Sequence, residues 1–231
     1  DYYRAVSADV SLVAISDRQR HLAPELNWIA TVHNALNLDT WPFSEHKRDY
    51  ALFLGRFHPE KAPHLALEAA HEIGLSLVLA GRCEGPEEQE YFDREIQPRL
   101  GRQDRVFGIA DAEAKRALLV DARCLIFPVQ WEEPFGMVMI ESMACGTPVV
   151  ALNNGAVSEV IIDGVTGIVC DEPHELGDAL KRVTELDPAA CRAHVAENFN
   201  APGLATGYSA AYRTAMLRSA PGGPGQHGAD R

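Results

Sequence analysis

The chain has 231 residues, of which 46% are hydrophobic and 23% are charged, a composition typical of a globular protein with a packed core. Its formal net charge of −12 excludes broad nucleic-acid binding, so any phosphate site must consist of a few local cations and main-chain amides. No apolar run approaches the ~20 residues that span a bilayer, and no signal peptide is recognisable, so we expect a soluble, cytoplasmic protein.

The five cysteines are dispersed and form no C-x-x-C pair, which predicts neither a zinc site nor a disulfide framework. We expect most of them to be small buried apolar residues. The chain has no D-x-D motif and no histidines at metal-ligand spacing, so the sequence gives no sign of a metal-bridged diphosphate.

The first part of the chain is less regular than the rest. Val10–Ile15 and Ile29–Val32 are predicted strands, with Ser16 and Asp17 as a helix cap between them. The polar, turn-rich residues that follow predict a linker. Because the sequence begins inside a structural element and without methionine, we expect it to be a fragment of a longer protein.

From Tyr50 onwards, short strands alternate with longer helices. The predicted strands are Tyr50–Leu54, Leu75–Ala80, Arg105–Phe107, Cys124–Pro128, Pro148–Leu152 and Gly167–Cys170. The predicted helices are His64–Ile73, Glu87–Leu100, Ala112–Asp121, Met137–Cys145, Ala156–Ile162, Glu172–Leu186, Pro188–Asn198 and Leu204–Leu217. This order predicts an α/β fold with a Rossmann-like, doubly wound parallel sheet, in which ligands bind outside the carboxyl ends of the strands.

The loop after the first of these strands reads G-R-F-H-P-E-K. Gly55 allows main chain to approach a ligand, and Arg56 and Lys61 both have room to turn inward and neutralise a diphosphate. Two solvated surface cations are the alternative. The loop carries neither the P-loop pattern nor G-x-G-x-x-G, so it gives no support to a nicotinamide-type site.

Two further strand ends, Gly81–Arg82 and Val106–Phe107, offer main-chain groups that could read the edge of a base. For Phe107 we favour a place in the core.

The segment Trp131–Pro148 reads W-E-E-P-F-G-M-V-M-I-E-S-M-A-C-G-T-P. It predicts a turn containing Glu133, a nearly buried helix containing Glu141, and a helix end at Gly146. A helix N-terminus binds anions, and buried carboxylates accept hydrogen bonds from hydroxyls, so we predict a nucleotide-sugar site. Acid–base catalysis by the two carboxylates is the alternative.

These segments, over Tyr50–Val183, resemble the retaining glycosyltransferases of family 4, known as glycosyl transferases group 1, which have the GT-B fold. The resemblance rests on F-L-G-R-F-H-P-E-K, L-V-L-A-G, the run from F-P-V-Q-W-E-E-P-F-G to C-G-T-P-V-V-A, and G-A-V-S-E-V-I-I-D-G-V-T-G. It implies the C-terminal, donor-binding half of a GT-B enzyme that transfers a sugar from a nucleotide-diphosphate sugar, with UDP as the expected nucleotide and with no metal or cofactor.

The same resemblance assigns roles to individual residues. It implies catalytic roles for Arg56 and Lys61 on the diphosphate and for Glu133 beside the sugar, as the first glutamate of an E-x7-E motif whose second member, Glu141, holds the ribose. The further donor-binding residues that it implies are Gly55, Arg82, Val106, Phe107, Phe135, Gly136, Met137 and Val138.

The resemblance also divides the chain. Residues 1–43 are similar to the end of an N-terminal domain and its linker, residues 44–199 to the nucleotide-sugar-binding domain, and residues 200–217 to the crossover helix, while the Gly/Pro-rich residues 218–231 predict a disordered tail. The N-terminal GT-B domain, which would carry the acceptor and any peripheral membrane contact, is the expected missing partner. Alternatives are a non-catalytic nucleotide-sugar-binding module and another GT-B enzyme, such as a nucleotide-sugar epimerase or a phosphorylase.

Overall fold

The computed structural model describes residues 10–219. The strands in that range are β1 (Leu12–Ala14), β2 (Trp28–Thr31), β3 (Tyr50–Leu54), β4 (Ser76–Ala80), β5 (Arg105–Gly108), β6 (Cys124–Phe127), β7 (Val149–Leu152) and β8 (Gly167–Cys170). The α-helices are α1 (Asp17–Leu22), α2 (Pro63–Glu72), α3 (Pro86–Tyr91), α4 (Ala112–Asp121), α5 (Met137–Ala144), α6 (Val157–Val160), α7 (Leu176–Arg182), α8 (Pro188–Asn198) and α9 (Ala201–Ser219).

Six strands form one parallel sheet in the order β5-β4-β3-β6-β7-β8. The order reverses between β3 and β6, and the loops that leave these two strands therefore open a crevice at the carboxyl edge. This arrangement confirms the predicted doubly wound sheet.

The core lies on both faces of this sheet because neighbouring strand residues point to opposite sides. Leu52 and Leu125 belong to the cluster on one face, together with Met139 from α5. Phe53 and Ile126 belong to the cluster on the other face. A parallel sheet covered on both faces explains why these strands read as continuous apolar runs.

Two predicted helices are interrupted in the structure. The segment 87–100 is α-helical only to Tyr91, and it continues as a π-helical turn, Phe92–Ile96, and a 3₁₀ turn, Gln97–Arg99. Pro98 accounts for this change, since proline lacks the N–H that an α-helix requires and its ring clashes with the preceding turn. The segment 172–186 likewise has 3₁₀ turns on both sides of α7.

Strands β1 and β2 form a separate two-stranded parallel sheet. Helix α9 packs against β2 so closely that a side chain at Gly207 would approach Val32 Cγ1 to 2.9 Å. The helix begins earlier and ends later than the predicted Leu204–Leu217, and it includes the first two residues of the predicted tail. The remainder of that tail lies outside the described residues.

Four of the five cysteines are buried, as the sequence predicted, and all five are free thiols. Burial raises the pKa of Cys124, Cys145 and Cys191 to about 12. Across residues 10–219, no helix combines the length and the apolar character needed to cross a membrane.

Candidate functional site

The loops after β3, β4 and β5 lie side by side at the carboxyl edge of the sheet, where Gly81 allows the closest approach. Gly55 donates its N–H to Ala80 O at 3.0 Å, and Gly81 donates to Gly108 O at 2.8 Å. A Cβ atom at Gly81 would lie only 1.8 Å from Gly55 O, so no other residue fits there without moving the first loop. Glycine is therefore what allows these loops to approach one another.

Arg56 extends from the first loop to helix α3. Its Nη1 donates to Glu88 Oε1 at 2.6 Å and lies 3.7 Å from a carboxylate oxygen of Glu84. Glu88 is only 3% exposed, and its second oxygen accepts the Glu84 N–H at 2.5 Å. The buried Glu88 carboxylate thus orients Arg56 and fixes the loop after β4 at the same time.

Lys61 ends a 3₁₀ turn, Pro59–Lys61, and forms an ion pair with Glu133. The same carboxylate oxygen accepts the Trp131 Nε1 hydrogen at 3.0 Å, and the Lys61 ammonium lies 4.8 Å from the centre of a Trp131 ring. Glu133 is 9% exposed, so its negative charge is compensated by a cation and an indole N–H rather than by water. This pair connects the loop after β3 to the loop after β6.

The main chain of Glu133 is also fixed from the opposite side. Its carbonyl accepts the Ala156 N–H at 2.9 Å. Gly155 has a φ of +65°, and a Cβ atom there would lie 2.2 Å from Glu133 O. Because main chain cannot yield as a flexible side chain can, the glycine at position 155 determines where Glu133 lies.

Helix α5 begins directly after this loop. Gly136 adopts a left-handed conformation with a φ of +79°. Among the described residues, the N–H groups of Gly136, Met137 and Val138 donate to no main-chain oxygen. Such groups at a helix start favour an anion, and the anion site expected for this segment stays a prediction. The Phe135 side chain is buried beside Phe199 and leaves only its main chain for a ligand.

Glu141 lies one turn or more into α5 and is 9% exposed. Its Oε1 accepts a hydrogen bond from Lys115 Nζ of α4 at 2.6 Å. The Lys115 ammonium also lies 5.2 Å from the centre of the Trp41 ring, which comes from the linker. The two glutamates of the E-x7-E motif are therefore each paired with a lysine from another element.

The remaining predicted residues lie around β5 and the loop after β4. Arg82 is largely exposed and forms an ion pair with Glu84. The prediction that Phe107 belongs to the core is wrong, since Phe107 is 37% exposed and Val106 is 39% exposed. The reason is that β5 is an edge strand, so Phe107 lies beneath the Arg105 guanidinium, 5.1 Å away, and lines a groove of about 610 Å³ along α4.

A second cleft, of about 490 Å³, lies beside Glu132 and Gly155. Arg18 of α1 donates two hydrogen bonds, of 2.7 and 2.5 Å, to Glu132, and this guanidinium lowers the pKa of the Glu132 carboxyl. Glu159 accepts the N–H groups of Asp17 and Arg18 at 2.7 and 2.6 Å. These contacts attach α1 to the loop beside the site.

Sequence reasoning missed Glu88, Trp131 and Lys115 as site residues. Glu88 lies in the acidic first turn of α3, where its charge looks like an ordinary helix-start carboxylate. Lys115 lies on an amphipathic helix and looks like a solvated lysine. Only Trp131, as part of the W-E-E-P-F-G motif, carried a usable local signal.

The arrangement can compensate a polyanion with Arg56 and Lys61, receive phosphate at the start of α5, and accept hydrogen bonds from hydroxyls at Glu133 and Glu141. Within residues 10–219, no three His, Cys, Asp or Glu side chains gather closely enough to hold a metal ion.

The family model described as "Glycosyl transferases group 1" matches residues 40–198 of this chain. The chain is 33% identical over 181 residues to a glycogen synthase of Mycobacterium tuberculosis, a match that covers 73% of this chain and 42% of that protein. It is 32% identical over 190 residues to a D-inositol 3-phosphate glycosyltransferase of Mycolicibacterium smegmatis, covering 74% of this chain and 43% of that protein. This chain thus spans about two-fifths of the length of these curated relatives.

Solved structures show the same fold. AviGT4, a glycosyltransferase involved in avilamycin A biosynthesis, is 26% identical and superimposes with a TM-score of 0.75 over 88% of this chain and 63% of its own. Anabaena HepE, solved in complex with UDP and glucose, is 18% identical with a TM-score of 0.79 over 94% of this chain and 66% of its own. The neighbours are GT-B glycosyltransferases, so this sheet has the fold of one half of a GT-B protein.

Proposed function

The chain belongs to the glycosyl transferases group 1 family, and we propose that it is the donor-binding part of a retaining, metal-independent glycosyltransferase that uses a nucleotide-diphosphate sugar. In this proposal residues 44–199 hold the donor, while residues 1–43 and helix α9 connect to an N-terminal domain that carries the acceptor.

The observation that carries the proposal is a set of three ion pairs that join elements at the carboxyl edge of the sheet, together with the start of α5. The pairs are Arg56–Glu88, Lys61–Glu133 and Lys115–Glu141, and the first N–H groups of α5 are unused by the main chain. Because Glu88 and Glu133 already compensate their cations, Arg56 and Lys61 can exchange these carboxylates for phosphate oxygens when a diphosphate arrives, while Lys115 stays with Glu141.

In the proposed reaction, the bond between the anomeric carbon and the β-phosphate oxygen breaks as the acceptor hydroxyl attacks from the same face. The acceptor proton passes to the departing phosphate oxygen, so charge and atoms balance. Arg56 and Lys61 stabilise the departing diphosphate, and Glu133 orients the sugar hydroxyls and eases positive charge at the anomeric carbon. Glu141 holds the ribose hydroxyls.

The nucleotide is proposed to be UDP. The resemblance to family 4 favours it, and the structural neighbour HepE was solved with UDP, with UDP-glucose, and with UDP and glucose. Substrate screening identifies the donor sugar and the acceptor.

Isothermal titration calorimetry with UDP, GDP, ADP, TDP and their glucose conjugates tests the donor assignment. We expect one diphosphate to bind clearly better than the others, and its sugar conjugate to bind at the same site. If none of these nucleotides binds to the folded chain, the proposal is wrong.

A non-catalytic nucleotide-sugar-binding module is the second candidate. Donor hydrolysis or transfer by this chain alone, measured by nucleotide release, would exclude a pure binding module. Product analysis separates a transferase from an epimerase or a phosphorylase.

A further inference from the structure

We propose that Lys115 is a positioning residue that fixes the Glu141 carboxylate so that it can recognise the ribose hydroxyls of the donor. This inference rests on the proposed function, since it assumes that Glu141 holds the ribose. It adds a residue outside the W-E-E-P-F-G-M-V-M-I-E motif and a physical reason for the orientation of that carboxylate.

The first support is the ion pair itself. Lys115 Nζ donates to Glu141 Oε1 at 2.6 Å, and the Glu141 side chain is 11% exposed. In the described part of the chain, no other hydrogen bond reaches this carboxylate. Lys115 therefore supplies both its counter-charge and its orientation, and Oε2 is left for a hydroxyl donor.

The second support is that Lys115 lies against a buried aromatic ring. Its ammonium lies 5.2 Å from the centre of the Trp41 ring, and the Arg116 guanidinium lies 5.3 Å from a ring of the same indole. Trp41 is 8% exposed, so its ring is a buried surface against which the lysine packs.

Arg192 of α8 anchors the main chain of Trp41. Its Nη1 donates to Trp41 O at 2.9 Å and to Ala144 O, at the end of α5, at 2.5 Å. These hydrogen bonds join α8, the linker and the end of α5 beside the lysine. A rigid lysine is what a positioning role requires, because a mobile one would not define which oxygen of Glu141 is free.

This geometry predicts coupling between Lys115 and the ribose hydroxyls, rather than a general effect on nucleotide binding. The measurement is the ratio of two affinities, that for UDP and that for 2′,3′-dideoxyuridine 5′-diphosphate, which shares the base and phosphates but lacks both hydroxyls. We expect Lys115→Met to lower this ratio about tenfold, the effect of losing a hydrogen bond to a charged group. Lys115→Arg, which keeps a cation, is expected to retain most of the wild-type ratio.

Lys181→Met is the matched control, since Lys181 is an exposed lysine that pairs with Asp178 at 2.8 Å on α7. It is expected to leave the ratio unchanged. A purely structural role for Lys115 would weaken both nucleotides equally, and an unchanged ratio in a folded Lys115→Met variant would therefore overturn the inference.

If Lys115→Met does not fold, Lys115→Gln takes its place, because glutamine keeps a polar group beside the Glu141 carboxylate but removes the cation. A ratio below the wild-type value in Lys115→Gln supports the positioning role, and an unchanged ratio contradicts it. Failure of the wild-type chain to bind UDP or any other nucleoside diphosphate would instead refute the proposed function.

Discussion

The Lys61 ammonium and the Glu133 carboxylate form an ion pair that joins the loops after β3 and β6, the two strands between which the order of the sheet reverses. Trp131 completes the contact by donating its indole N–H to the same oxygen at 3.0 Å. The crevice of the sheet thus contains a prearranged cation, a carboxylate and a hydrogen-bond donor.

Replacing Lys61 by methionine removes the cation and leaves Glu133 with the indole N–H alone. We expect the binding of a nucleoside diphosphate to weaken by about 1.5–3 kcal/mol, the contribution of a hydrogen bond to a charged group. Calorimetric titration measures the effect, with Lys181→Met as the control. Equal affinity of the Lys61→Met and control proteins would show that Lys61 does not contact the phosphates.

Replacing Glu88 by glutamine keeps the shape of the side chain but removes its charge. Glutamine has only one oxygen with which to replace the two that accept hydrogen bonds from Arg56 and from the Glu84 N–H. We expect a loss of stability of about 1–3 kcal/mol, because one buried donor is left unsatisfied. Urea unfolding measures it, and the exposed neighbour Glu87→Gln is expected to remain within about 0.5 kcal/mol of the wild type.

Gly155→Ala and Gly164→Ala separate backbone strain from steric displacement. Both glycines have a positive φ, of +65° and +73°, but a Cβ atom at Gly164 meets nothing within 4 Å, whereas one at Gly155 would lie 2.2 Å from Glu133 O. We expect Gly164→Ala to cost about 1–2 kcal/mol in unfolding free energy and Gly155→Ala to cost more, about 3 kcal/mol or above.

Only Gly155→Ala is expected also to weaken the binding of the nucleotide sugar, because it moves the main chain of Glu133. Calorimetric titration of the two folded variants provides the comparison. Identical donor affinities would contradict the role of Gly155 in placing Glu133.

Stability is expected to fall above about pH 9. Burial raises the pKa of Cys124, Cys145 and Cys191 from 9.0 to about 12, so the unfolded chain releases protons that the folded chain retains. Each thiol lowers the unfolding free energy by about 1.4 kcal/mol per pH unit between these two values. Urea unfolding between pH 7.5 and pH 10.5 measures the slope.

Lys47 is expected to act in the opposite direction. Burial lowers its pKa from 10.5 to about 8, so between these values the unfolded chain binds more protons and stability rises with pH. Replacing Lys47 by methionine should therefore steepen the alkaline fall. An unchanged slope in Lys47→Met would contradict this assignment.

Local patterns were sufficient for much of the fold and for part of the site. The apolar runs placed β3 at Tyr50–Leu54 and β8 at Gly167–Cys170, and the E-x7-E segment placed one glutamate before α5 and the other within it. Two predictions failed. The helix predicted over 87–100 is interrupted at Pro98, and Phe107 lies on an edge strand that has no neighbour on one side among residues 10–219.

The sequence by itself therefore determined the order of strands and helices, the loops that reach the carboxyl edge, and the residue types that suit a phosphate and hydroxyls, because these follow from periodicity and from chemistry within a few residues. Only the tertiary structure decided which charged side chains form ion pairs with one another. Arg56 pairs with Glu88, Lys61 with Glu133 and Lys115 with Glu141, and each pair joins two elements whose separation in the chain no local pattern reports. A buried charge takes whichever opposite charge the packing brings within reach, and that packing is a property of the whole sheet.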